Sequence, residues 1–377
     1  MKSKNLVLYL TISLLLVAGC KPTSRNMEVY YLKDGKLCSE NIVLDFIDKD
    51  GNICSPYIDA LEFSYLDSLS YPDMNPDNAK KYTTLGTVDF SKKITPYSHE
   101  YYCAYTIHNI IKVIEYYNRL FDNKIDFNAQ KEYKTIEVTM GNCSLLTQPN
   151  IYVFEENSNP SPSLFAHEIG HRAFWYLEGA LNIKFKGLSI VHMGLLEYFT
   201  VSFSDSPIVG EDFLPEKLIR DASQLYTYPL DSSFTMRNYL RLTEGSYPKE
   251  IKNPESNISK YLSACYAEYD DYILDNVYDN HRGGMVLTST LWRIREQIGQ
   301  EKTDKLVAQT VLNLNSYLDQ RIDFYQSTEA PLQNKIDWYD VFYGLILQDR
   351  ELFDGQNVQV ISNEFARTGY LIYKVKY

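Results

Sequence analysis

The sequence predicts an α+β protein, with strand-forming segments gathered in the first half and helices taking over towards the C-terminus. Three observations carry this. Residues 27–95 alternate short apolar stretches with Gly, Asn, Asp and Pro turns, as in Val43-Leu44-Asp45-Phe46. Residues 97–121 place Ala104, Ile107, Ile111, Ile114 and Phe121 at helical spacing, the signature of a long amphipathic helix. Residues 284–299, 301–318 and 337–350 read as further helices, the middle one carrying Leu306, Val307, Thr310, Val311 and Leu314 on its apolar face.

The chain has 377 residues, 45% hydrophobic and 14% aromatic with 33 Tyr, which excludes a disordered protein and is long enough for two or three packed units. Its net charge of -12 and lack of a long basic run argue against nucleic acid as a partner.

The first 20 residues read as a targeting segment. Lys2 and Lys4 give a positive start, Leu6 to Ala18 form an apolar core too short for a comfortable membrane span, and Val17-Ala18-Gly19-Cys20 closes it. That ending resembles a bacterial lipobox, cleaved before Cys20 with lipid on its thiol. It implies a protein tethered to the membrane by a lipid anchor at the cell envelope, facing outside the cytoplasm. An ordinary signal peptide or a buried N-terminal helix is the plainer alternative. Export permits disulfides among Cys38, Cys54, Cys103, Cys143 and Cys265, but five is odd, so at least one stays unpaired within the chain. No Cys-x-x-Cys occurs, which argues against a thiolate zinc site.

Along the chain, residues 21–26 form a short tether before the β-rich stretch that runs to 95. After the long helix, Ile136, Val138 and Met140 alternate as in a strand, and Ile151-Tyr152-Val153-Phe154 suggests a second. Asn159-Pro160-Ser161-Pro162 then opens a helix, with Ser161 able to cap it and Pro162 suited to its first position. Gly179 is placed to end that helix. Residues 225–275 are polar and Tyr-rich without a clean period.

Inside this capped helix lies His167-Glu168-Ile169-Gly170-His171. Histidines four apart share one helix face, one turn apart, and two neutral imidazoles so placed can hold a zinc ion, Zn2+. Glu168 can reach a water on the open side of the metal and act as general base. Zinc lowers the pKa of such a water towards ~7, and the carboxylate takes its proton as it attacks a carbonyl. With only 6 His in the chain, an accidental pair at this spacing is the poorer explanation. A closed site needs a third ligand. Residues 174 onwards supply no further His, and Glu197, in the apolar run Val191–Phe199, is the available acid. Buried there, it calls for a cationic partner.

Here the chain resembles the gluzincin metallopeptidases of the thermolysin and fungalysin type. Phe165-Ala166-His167-Glu168-Ile169-Gly170-His171 is similar to their active-site helix. His281-Arg282-Gly283-Gly284 with Leu291-Trp292-Arg293-Ile294-Arg295 is similar to a later motif, and Leu347–Gly355 to the closing helix. The likeness covers roughly residues 97–355 in the same order. It implies a zincin-like α+β fold: a small β-rich region over 21–95, a catalytic lobe with the metal-binding helix over 96–205, and a mainly helical lobe over 206–377. It also implies that His281 stabilises the oxyanion of a tetrahedral intermediate, where a donor imidazole opposes developing charge. Taken alone, His281 is an ordinary loop histidine.

The family's second helix reads Glu-Gly-x-x-Asp-Tyr, the Glu binding zinc and the Asp orienting a ligand His. The strongest local match, Met193-Gly194-Leu195-Leu196-Glu197-Tyr198, sets Met193 on the ligand position and Glu197 on the orienting one. The other alignment makes Glu197 the ligand and leaves Val201 at the orienting position. We take His167, His171 and Glu197 as the expected metal ligands, with Glu168 and His281 as catalytic groups. The expectation is a zinc metallopeptidase acting on protein or peptide substrates. Its alternatives are a catalytically impaired, peptidase-like lipoprotein with a binding or structural role, and a zinc hydrolase of other amides or esters.

Overall fold

A computed structural model describes residues 25–33, 36–44, 46–48, 50–66, 81–85, 92, 94–141, 150–155, 161–183, 190–210, 219–226, 271–325, 336 and 338–368. Residues 1–20, expected as a targeting segment ending at Cys20, lie outside the described residues, as do Cys143, Cys265 and most of 225–275. The mixture of helix and strand expected from the sequence is present.

Strands β1 (Arg25–Lys33) and β2 (Lys36–Leu44) form an antiparallel hairpin, with Met27 paired to Ile42 and Arg25 to Leu44. Met27, Val29, Ile42 and Leu44 are buried while Glu28 and Val43 are exposed, the period-two alternation of a ribbon lying on a core. Strands β3 (Ala60–Leu66), β4 (Lys81–Leu85), β5 (Thr135–Gly141) and β6 (Ile151–Glu155) build a four-stranded sheet in the order β4-β3-β5-β6. β3, β5 and β6 run parallel, and β4 is an antiparallel edge. The sheet therefore takes two strands from the stretch before residue 95 and two from after it, so β3 and β4 of the β-rich beginning share one sheet with β5 and β6.

Helix α1 (His99–Leu120) lies between β4 and β5 in the chain. Ser98 starts it, its Oγ accepting from the Tyr101 amide at 3.2 Å. Its side chains are buried almost all round, Tyr101, Tyr105, Ile110, Ile114 and Tyr117 among them, because it packs on the sheet on one side and on helices on the other. Helix α2 (Pro162–Leu181) carries the histidine motif, α3 (Ile190–Ser204) follows, and short strands β7 (Ile208–Val209) and β8 (Arg220–Asp221) pair antiparallel. Helices α4 (Asp271–Ile298), α5 (Gln300–Tyr325), α6 (Trp338–Phe353) and α7 (Val358–Arg367) complete the helical half. α3 is buried on every face from Val191 to Ser202, as a helix apolar all round must be, with α2, α4 and α5 around it. One continuous apolar core includes side chains from β1 through α7.

Ser161 caps α2 as expected, accepting from the Ser163 amide at 3.1 Å, and Pro162 opens the helix. The helix does not stop at Gly179. A Cβ there would meet nothing, so no constraint marks that residue as a terminus. The chain turns at Asn182, which takes the left-handed conformation at φ 52°. Helix α4 begins earlier than expected, at Asp271. Among the described residues, no helix is long and apolar enough to cross a membrane.

Candidate metal and catalytic site

The motif is laid along the innermost part of α2. His167, Glu168 and His171 are 6%, 8% and 8% exposed, withdrawn from bulk solvent. The rings of His167 and His171 stand 4.8 Å apart between centroids and edge to face, at 88°. Gly170 is a packing requirement within the motif. A Cβ on it would lie 2.5 Å from the Tyr117 hydroxyl and 3.2 Å from Leu196. Only glycine lets α1 and α3 close in behind the histidines.

That close approach brings Glu197 of α3 to His167. Its Oε2 lies 3.5 Å from His167 Nδ1, while its other oxygen pairs with the Arg220 guanidinium at 2.9 Å. Glu197 is completely buried and the Arg220 side chain is 17% exposed. The cationic partner that the sequence required is therefore Arg220, on the two-residue strand β8. Sequence reasoning did not single it out. The available signal was chemical: a buried acid needs a cation, and Lys217 and Arg220 are the only basic residues in the stretch after α3 that runs from 205 to 226.

Of the expected ligands, His167 and His171 lie side by side, as two imidazoles that shared one zinc ion would. Glu197 lies on the Nδ1 side of His167, the side away from Nε2, and is engaged by Arg220. Met193, at the position aligned with the family's third ligand, is wholly buried. Among the described residues, no group of three or more His, Cys, Asp or Glu side chains converges as a metal cage. His281 belongs to α4, one turn before Gly284, and its side chain is outside the described residues.

His171 stacks on two rings, Trp175 at 5.5 Å and 26° and His192 at 5.6 Å and 27°. His192 is fully buried, and its Nδ1 is 2.9 Å from Glu178 Oε1; a carboxylate only accepts, so Nδ1 carries the proton. Trp175 is 43% exposed, unusual for so large an apolar group beside a buried histidine.

Two buried polar arrangements hold α2 and α3 in place. Arg172, fully buried, donates from Nε to Gln130 Oε1 and from Nη2 to the Phe127 carbonyl, both at 2.7 Å, with its guanidinium over the Phe127 and Tyr133 rings. Burial pulls its pKa down to about 10, and neighbouring Tyr152, Glu132 and Tyr133 oppose the fall. It ties the loop before β5 to the back of the histidine helix. On α5, Asp304 accepts from Ser202 Oγ at 2.6 Å, from Tyr198 Oη at 2.7 Å and from Tyr116 Oη at 3.2 Å, joining α1, α3 and α5. Burial pushes the Asp304 carboxyl above its usual range, against the pull of those hydroxyls and of Arg295. Tyr117 lies between the two regions. Burial, then the charge of Glu197, then that of Asp304, push its hydroxyl far above the ordinary tyrosine value. On the sheet side, Tyr152 of β6 is likewise pushed up, by burial first and then by the charge of Glu168.

No protein-family model and no curated protein matches this chain.

Proposed function

We propose that this chain is a zinc-dependent hydrolase of the zincin-like, gluzincin-related kind, cleaving peptide bonds at the cell envelope. The observation that carries the reading is the line Arg220–Glu197–His167. A buried acid, held by a partly buried guanidinium, faces Nδ1 of the first motif histidine and leaves its Nε2 as the nitrogen for a metal. A bare packing helix has no use for such an arrangement.

His167 and His171 would hold the ion, and zinc, when bound, polarises a carbonyl and acidifies water. Glu197 acts through His167, its carboxylate facing Nδ1 at 3.5 Å and orienting the ring, and Arg220 holds the carboxylate in place. Glu168, one residue on from His167, takes the proton of the attacking water and returns it to the leaving nitrogen. Expected as the third ligand, Glu197 serves in this arrangement as the orienting carboxylate, in line with the alignment that sets Met193 on the ligand position. Support for the envelope is the Val17–Cys20 ending with its Lys2 and Lys4 start, Cys20 being the lipidated residue.

Zinc content and cleavage of a broad peptide library, measured on the wild type, Glu168→Gln and His167→Ala, test the reading. The wild type should carry zinc and cleave. Glu168→Gln should keep the zinc and lose about 10²–10⁴ in rate, the share of a general base. His167→Ala should lose the metal. Equal, feeble cleavage by zinc-loaded wild type and Glu168→Gln would sink the peptidase reading.

Buried Met193, standing where a third acidic ligand is expected, favours a second reading: a peptidase-like envelope protein with a binding or structural role. Stoichiometric zinc lost in His171→Ala, together with Glu168-dependent cleavage, would eliminate it.

A further inference from the structure

The geometry points to His192 as a positioning residue for His171. The His192 ring, buried and stacked on that of His171, fixes the plane of the second motif histidine.

The first motif histidine is held by a charge at Nδ1. The second is held by ring contacts, on two roughly parallel neighbours: Trp175, one helical turn on, and His192, from the next helix. Parallel offset stacking restricts rotation about the Cβ–Cγ bond, the freedom that otherwise smears the direction of an imidazole nitrogen. His192 is itself immobilised. It is fully buried, rests on Phe174 at 5.1 Å between ring centroids, and is hydrogen-bonded to Glu178 at 2.9 Å. Glu178 is seven residues after His171 on the same helix, so α2 supplies both the ring to be held and the carboxylate that grips its holder. Trp175, by contrast, is partly solvated and can lean away. The buried partner is the rigid one.

What this clamp serves rests on the metal reading of His171, but the clamp itself can be read without metal. Trp175 reports on it, since its stacked contact with the His171 imidazole affects its emission. The experiment compares His192→Phe, which keeps a ring and loses the Glu178 bond, with His192→Gln, which can keep the bond and loses the ring. The Trp175 contribution is isolated in each by subtracting the matching Trp175→Phe protein, since Trp292 and Trp338 also emit. In metal-free protein, His192→Gln should shift Trp175 emission towards that of His171→Ala, and His192→Phe should leave it as in the wild type. Zinc affinity by competition with a chromophoric chelator should fall about tenfold or more in His192→Gln, the usual cost of losing a group that orients a ligand, and hold in His192→Phe. Unchanged Trp175 emission in His192→Gln overturns the inference, as does a loss in both variants alike. Should the wild type take up no zinc while His192→Gln still shifts the emission, the metal reading falls and the clamp stands.

Discussion

Gly194 of α3 and Gly284 of α4 meet backbone to backbone. A Cβ on Gly194 would lie 2.8 Å from the Gly284 carbonyl oxygen and 2.8 Å from Leu287 Cβ, and one on Gly284 would lie 2.8 Å from the Gly194 nitrogen. Thr288 pins the crossing, its hydroxyl shared between the Gly194 and Gly284 carbonyls at 3.0 and 3.1 Å. Neither obstacle is the end of a flexible side chain, so the helices themselves must part to admit a methyl. Gly194→Ala and Gly284→Ala should each cost about 1–3 kcal/mol of stability, the range for overpacked sites, read as a lowered urea midpoint at unchanged slope. Gly284→Ala should also lower activity, because the displaced helix carries His281.

Removing Arg220 strands Glu197. A buried pair broken on one side costs about 3–5 kcal/mol, while replacing both partners by apolar groups of similar volume is often close to neutral. Arg220→Met should therefore destabilise strongly in urea, and Arg220→Met with Glu197→Leu should recover most of the loss. Zinc affinity separates stability from function: it should stay weakened in the double variant, since His167 has lost the carboxylate at Nδ1. A double variant no more stable than Arg220→Met would show that the pair is not the coupled unit described.

Arg172 is predicted to tolerate lysine poorly. Lysine keeps the charge but not the fork, and cannot bond Gln130 and Phe127 in the guanidinium's geometry while lying flat between Phe127 and Tyr133. One of two buried acceptors is left without its donor, at about 1–3 kcal/mol. Arg172→Lys should lower the thermal midpoint and raise amide exchange in residues 127–134 before it alters the sheet.

The legible features were those set by neighbours in sequence. The spacing of His167 and His171, the Ser161-Pro162 start and the apolar stripe on α1 are local patterns, and the fold keeps them. Asn182 was hidden behind Gly179, since a glycine reads as a terminus whether or not the backbone turns there. Arg220 was hidden because it lies 23 residues from Glu197 along the chain, on a strand of two residues with no periodic signal. The His192–Glu178 grip joins two helices, and nothing local pairs them. The crossing at Gly194 gives the glycine at 284 a structural reason that no local pattern shows: there α4 has no room for a side chain.

Asp304 gives a prediction with a defined sign. Burial holds its carboxyl above the ordinary value of 3.8, so the folded state binds that proton more tightly than the unfolded chain does. The contribution to stability is then fully present below pH 3.8 and is lost as pH rises through the raised folded value. Its hydrogen bonds from Ser202, Tyr198 and Tyr116 limit the shift without reversing it. Asp304→Asn removes the titrating group while keeping the volume. Other carboxylates move the total curve, so the quantity to measure is the stability of the wild type minus that of Asp304→Asn, by urea denaturation from acid to neutral pH. That difference should shrink as pH rises above about 4, and be flat once Asp304 is ionised in both states. A difference that grows with pH over that range would mean that the three hydroxyls outweigh burial and hold the folded carboxyl below its unfolded value.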